Sequence, residues 1–136
     1  EMKECDWSSD VCSSDLDSPF WGADRRMSVN DVWKQLYQVV QDRKTSPQEG
    51  SYTCYLFDKG LDKILKKVGE ECAETIIAAK NGRQEETVGE ISDLIYHLTV
   101  MMAQQNIPLE AVLEELDRRS HKIGNLKQFH VADHNT

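Results

Sequence analysis

At 136 residues the chain is long enough for one domain with a real hydrophobic core and too short for two. With 39% apolar residues and a net charge of −8, it lacks the basic footprint of a general nucleic-acid binder, and no run nears the roughly 20 apolar residues that cross a bilayer. Its four cysteines (Cys5, Cys12, Cys54, Cys72) have neither CxxC nor Cys/His spacing, so reduced thiols in a cytoplasmic protein are expected rather than a disulfide framework or a zinc site.

Residues 1–26 show neither helical nor strand periodicity, and their acidic, serine-rich composition fits neither a signal peptide nor a transit peptide. The run Asp6-Trp7-Ser8-Ser9-Asp10-Val11-Cys12-Ser13-Ser14-Asp15-Leu16 resembles the translation of a common sequencing adapter. The segment reads as an artefactual extension, or else a disordered tail, with the natural start at Met27 and the domain over 27–136. It holds seven of the 24 acids and three of the 16 basic residues, which leaves the domain 17 and 13 and a net charge of −4.

From there the patterns predict an all-α fold of four helices. Ser28 with Asp31 three residues on forms a helix start, and Val29, Val32, Trp33, Leu36, Val39 and Val40 recur at helical spacing up to about Arg43. Thr45 to Gly50 is a loop, and Ser51 to Leu56 reads as a short non-helical or turn-like passage. A second helix spans Gly60 to Lys80, closed by Asn81-Gly82. A third spans Gln84 to Gln105, and a fourth opens at Pro108 and runs to about His121. The tail from Gly124 is weakly patterned.

The two long helices carry the chemistry. Glu71 and Glu74 lie three apart on one, Glu90 and Asp93 three apart on the other, so each pair shares a helix face. On a wheel of about 100° per residue, Leu61, Ile64, Leu65, Val68, Cys72, Ile76 and Ala79 form an apolar stripe, flanked by Glu71, Glu74, Lys63 and Lys67, with Glu70 turned away. The next helix has Val88, Ile91, Leu94, Ile95, Leu98 and Met102 as its stripe, flanked by Glu90, Asp93 and His97. Packed antiparallel, the stripes bring four carboxylates face to face, where they repel unless a cation neutralises them. Oxygen ligands of this kind select a hard divalent ion, Mg²⁺ above all with Mn²⁺ as a substitute. Either pair alone is equally a solvated face of Glu/Lys pairs. Gly69 and Gly89 point to a close approach of the two helices or else are simply tolerated there, and His97 points to a packed, hydrogen-bonded role.

Glu-Glu-x-x-Glu followed by Glu-x-x-Asp resembles the signature of the MazG-like superfamily of all-α nucleoside triphosphate pyrophosphohydrolases. Ser51-Tyr52-Thr53, the run Gly60 to Glu71 and Asp93-Leu94-Ile95-Tyr96-His97-Leu98 narrow the likeness to the phosphoribosyl-ATP pyrophosphatase family, over about Val29 to Arg119. The resemblance implies Mg²⁺-dependent hydrolysis of phosphoribosyl-ATP to phosphoribosyl-AMP and pyrophosphate, the second step of histidine biosynthesis, in a stand-alone enzyme. It implies that Glu71, Glu74, Glu90 and Asp93 hold the metal and carry catalysis. Lys63 and Lys67 become candidate phosphate contacts, Arg43, Ser51, Tyr52 and Thr53 weaker ones, and Glu70 and His97 supports behind the ligands. A homodimer covering the remaining apolar surface agrees with the family, and the partner otherwise is a small nucleotide, with neither nucleic acid nor membrane. A MazG-like enzyme cleansing noncanonical dNTPs would share the metal site; a helical interaction module would need no metal.

A chain beginning at Met27 should melt, assemble and turn over like the full-length protein. Loss of activity or a markedly lower Tm on truncation would show that residues 1–26 have been recruited into the fold.

Overall fold

The computed structural model describes residues 31–122, and every regular element among them is helical. The order is α1 (Val32–Thr45), α2 (Tyr52–Lys59), α3 (Leu61–Lys80), α4 (Gln84–Gln104) and α5 (Leu109–Ser120). The all-α expectation stands, with five helices rather than four among the described residues. The helix start placed at Ser28 and the tail from Gly124 lie outside them.

The additional helix is α2, in the passage read from sequence as non-helical. Its β-branched and aromatic residues are mediocre helix formers, so local preference does not explain it. Two end signals and burial do. Ser51, in an extended conformation, accepts a hydrogen bond on its hydroxyl from the Cys54 amide at 3.3 Å, which caps the first turn. Gly60 stops the helix at φ +90°, a conformation that glycine alone adopts at little cost. Between them Tyr52 and Leu56 enter the core, and packing of this face overrides propensity.

α3 and α4 are joined by the turn at Asn81-Gly82, with Gly82 at φ +70°, and fold back on each other as an antiparallel hairpin. The core sits where α3 begins and α4 ends. There Val40, Tyr52, Leu56, Ile64, Tyr96, Val100 and Ala103 interlock, with Leu36, Tyr37, Tyr55, Phe57 and Met101 around them. Polar ties fasten α1 to α4: Trp33 Nε1 donates to Thr99 Oγ1 at 2.9 Å. Lys44 Nζ donates to the Ala103 carbonyl at 2.8 Å and to Asn106 Oδ1 at 3.0 Å, placing a cation on the orphan carbonyls that end α4. Asn106 takes φ +58° at that turn, and Tyr37 Oη donates to the Ile107 carbonyl at 2.8 Å.

The expected phase of the long helices is off by about a quarter turn. The face of α3 that packs inward carries Ile64, Lys67, Glu71 and Ala78. Leu65, Cys72, Ile76 and Ala79, assigned to the buried stripe, are exposed. On α4 the buried residues are Tyr96, His97, Thr99, Val100, Met102 and Ala103, while Val88 and Ile91 face outward. A wheel finds the most apolar face of a helix; it does not know which face its own chain covers. Here the chain covers the mixed face, leaving Leu65, Ile76, Ile77, Val88 and Ile91 uncovered on the hairpin. The glycines do not mark close approach either, since a Cβ at Gly69 or Gly89 would meet nothing within 4 Å.

Candidate metal-binding site

Midway along the hairpin, Glu71 of α3 and Glu90 and Asp93 of α4 each offer a carboxylate oxygen, and the three lie within 4.8 Å of one another. Glu74, the fourth residue of the expected set, stands outside that group. It is exposed, one turn further along α3, and its carboxyl is hydrogen-bonded to that of Glu90. The two i, i+3 pairs therefore meet across the seam.

Two oxygens in the cluster are strained electrostatically. Glu71 Oε2 and Glu90 Oε2 are both shut off from solvent and have no hydrogen-bond partner. Glu71 as a residue is only 5% exposed. A buried acceptor left unmatched costs on the order of 1–3 kcal/mol, more when charged. Burial, the hydrogen bond that the protonated Glu90 carboxyl donates to Glu74, and the charges of Glu74, Glu71 and Asp93 push the Glu90 carboxyl up to about 7. Acids crowded in this way need either protons or a cation. Oxygen-only donors, two of them orphaned, fit a hard divalent ion.

Lys67 enters the cluster from the other side. It is 8% exposed, with Nζ 3.0 Å from Glu70 Oε2 and 3.3 Å from Glu71 Oε1. Burial works to lower its pKa, but the hydrogen bond to Glu70 and the neighbouring negative charges win and hold it raised. The same bond, outweighing the partial burial of the carboxyl, holds Glu70 below the ordinary carboxylate range, with Lys66 and Lys63 adding to the pull. Glu70, which the wheel turned away from the site, is half-buried and tied to the cluster through Lys67. Lys63 is half-buried one turn earlier.

His97 is a packed residue, 2% exposed. Its Nδ1 lies 2.7 Å from the Asp93 main-chain carbonyl, which only accepts, so Nδ1 carries the proton. Nε2 is then a bare acceptor, and Tyr52 Oη donates to it at 3.4 Å. Burial pushes the imidazole down to about 4, so the 3.9 Å approach of Nδ1 to Glu71 Oε1 is no ion pair near neutrality. A neutral ring backs the acids.

The run Ser51-Tyr52-Thr53 is buried and supports α4 from behind. Ser51 caps α2, and the hydroxyls of Thr53 and Tyr96 share a hydrogen bond at 2.6 Å. The Tyr52 ring lies 6.3 Å from Tyr96 and edge-on to His97 at 6.1 Å. These hydroxyls are engaged inside the protein. Arg43, half-buried near the end of α1, is tied to α2 through its carbonyl, which accepts from Cys54 Sγ at 3.5 Å. Tyr96 is the partner that residue-by-residue reading passed over; an aromatic hydroxyl inside an apolar run was the available clue, since such a group needs a mate when buried.

The family model described as phosphoribosyl-ATP pyrophosphohydrolase matches residues 33–120, which include every residue of this cluster. A phosphoribosyl-ATP pyrophosphatase from Clostridium acetobutylicum is 53% identical over 102 residues, covering 75% of this chain and 93% of the relative. The protein of that name from Clostridium botulinum (strain Kyoto) is 54% identical over 101 residues, 74% of this chain and 92% of its own. That from Listeria monocytogenes serotype 4b is 59% identical over 92 residues, 68% and 88%.

The Glu90 carboxyl sets a pH dependence whose sign is fixed. Its folded pKa of about 7 exceeds the ordinary 4.5, so its contribution to stability is whole below about 4.5 and is lost as pH rises through about 7. In chelator, Tm should fall from about pH 5 to about pH 8, and Glu90→Gln should flatten that fall. An equal slope in the variant would put the strain elsewhere.

Proposed function

The chain belongs to the phosphoribosyl-ATP pyrophosphohydrolase family, and on that premise we propose that Glu71, Glu90 and Asp93, with Glu74 alongside Glu90, hold Mg²⁺ for its reaction. That reaction is hydrolysis of phosphoribosyl-ATP to phosphoribosyl-AMP and pyrophosphate, the second step of histidine biosynthesis. The observation that carries the metal reading is the pair of buried, unpartnered oxygens, Glu71 Oε2 and Glu90 Oε2, in a cluster of converging acids. When bound, Mg²⁺ supplies positive charge against phosphate oxygens and lowers the cost of deprotonating water; Mn²⁺ offers similar ligand chemistry.

The chain's own residues supply the rest. Glu71 and Asp93 are rooted in facing helices, so their separation is set by backbone packing rather than by loops. His97 and the Tyr52 hydroxyl fill the space behind them without adding charge. Lys63, half-buried on the acidic flank, is a candidate to meet a phosphate, as is Arg43.

We also read the uncovered residues Leu65, Ile76, Ile77, Val88 and Ile91 as the contact face of a homodimer. Soluble proteins rarely leave a contiguous apolar patch of several such side chains open to water.

Glu71→Gln and Asp93→Asn should each lower Mg²⁺-dependent pyrophosphate release from phosphoribosyl-ATP by about a hundredfold or more, the order expected when an electrostatic catalytic group is lost. The fold should survive, because an amide keeps the carboxylate's shape. Near-normal turnover at saturating Mg²⁺ would remove that residue from the site, and preferred turnover of a noncanonical dNTP would reassign the substrate. Mg²⁺ at 100 times its Kd should stabilise the protein by about 2.7 kcal/mol, a gain absent from the Glu74→Gln, Glu90→Gln double variant.

Sedimentation of the wild type should show a dimer that Ile77→Asp converts to monomer. A wild type that sediments as a monomer at micromolar concentration would overturn the dimer.

A further inference from the structure

Lys67 occupies an unusual position for a lysine. Lysines are almost never fully buried unless paired, and this one reaches inward from α3 to two carboxylates of different standing. Glu71 is an interior residue of the acidic cluster; Glu70 is on its rim, with its side chain 34% exposed. Nζ is nearer the rim carboxylate, at 3.0 Å, than the interior one, at 3.3 Å. It meets Glu71 at Oε1, while Oε2 of the same carboxylate is the orphaned oxygen. His97, the other basic group near Glu71, is buried with Nδ1 3.9 Å from Glu71 Oε1, against 3.3 Å for Lys67 Nζ. Lys67 is the closer of the two basic groups to Glu71.

We propose that Lys67 is the internal counter-ion of the carboxylate cluster, held there in competition with the divalent cation, and that Glu70 is the carboxylate that retains it when Glu71 turns to the metal. The proposal rests on the metal reading given above. Lysine suits the task because its ammonium is a compact point charge on a flexible stem, with no planar geometry to satisfy. Nζ already lies 3.0 Å from Glu70 Oε2, so releasing Glu71 would not require it to find a new partner. Lys67 is a positioning residue in this scheme, acting on Glu71 and not on substrate. Its burial also distinguishes it from a phosphate contact, which would present the ammonium to the nucleotide. Lys66 provides the contrast: at 3.8 Å from Glu70 Oε1 and 66% exposed, its charge is screened by water.

The two partners of the competition predict opposite changes in metal affinity. Removing the lysine charge with Lys67→Met should tighten Mg²⁺ binding by about tenfold or more, since a unit charge close to a divalent ion in a partly buried site repels it strongly. Glu70→Gln should weaken it severalfold, because Lys67 is then left with Glu71 as its remaining carboxylate. Lys66→Met should change it less than about twofold.

The measurement is a calorimetric titration of Mg²⁺ alone, without nucleotide, into each chelator-treated protein at constant ionic strength, supported by Mg²⁺-dependent melts. Tighter binding by Lys67→Met together with weaker binding by Glu70→Gln supports the counter-ion. A wild type that does not bind Mg²⁺ overturns the metal site, and this inference with it. A wild type that binds, beside a Lys67→Met variant with equal or weaker affinity, overturns the counter-ion alone. Should Lys67→Met not fold without metal, Glu70→Gln decides, and unchanged or tighter binding there overturns the proposal.

Discussion

Burying Glu71 in the seam between α3 and α4 places a carboxylate where water cannot solvate it, and most of the nearby structure answers to that cost. An isolated ionised carboxylate in an apolar interior is prohibitively unfavourable. Two responses are built in. Lys67 supplies charge on one oxygen and Glu90 keeps its proton to an unusually high pH, while the other oxygen of Glu71 stays buried without a hydrogen-bond partner. A metal-free interior of this kind is stressed, and a divalent cation of the kind proposed above would relieve that stress.

The scaffold behind the acids is polar but uncharged. Tyr52, Thr53, Tyr96 and His97 match their hydrogen-bonding groups among themselves and with the α4 backbone. A second charged layer would have shifted the carboxylates further; a purely apolar one would have left the helix backbone and ring orientations less constrained. The short helix α2 exists to deliver the first two of these side chains.

The parts of this architecture that were readable in the sequence are those with local causes. α3 and α4 begin and end within one residue of the positions expected, because Asn81-Gly82 and Pro108 act over a turn or two. The three-residue spacing of the acids determined which of them share a face, and three of the four converge directly. What escaped depends on distant contacts. α2 has the composition of a strand and is helical because of a cap, a glycine and a core. The packed face of α3 contains Lys67 and Glu71, which no hydrophobic wheel would choose. The Thr53–Tyr96 bond spans 43 residues and leaves no local trace.

Gly60 has a further effect through the backbone. Its amide closes α2 by bonding to the Leu56 carbonyl at 3.0 Å, and its own carbonyl accepts from the Ile64 amide at 3.2 Å to open α3. One residue in a left-handed conformation is thus the last link of one hydrogen-bond ladder and the first of the next. Neither helix can fray at that junction without disturbing the other. Such a junction couples local opening of the two helices, so the amides of α2 and of the first turn of α3 are expected to exchange with solvent together.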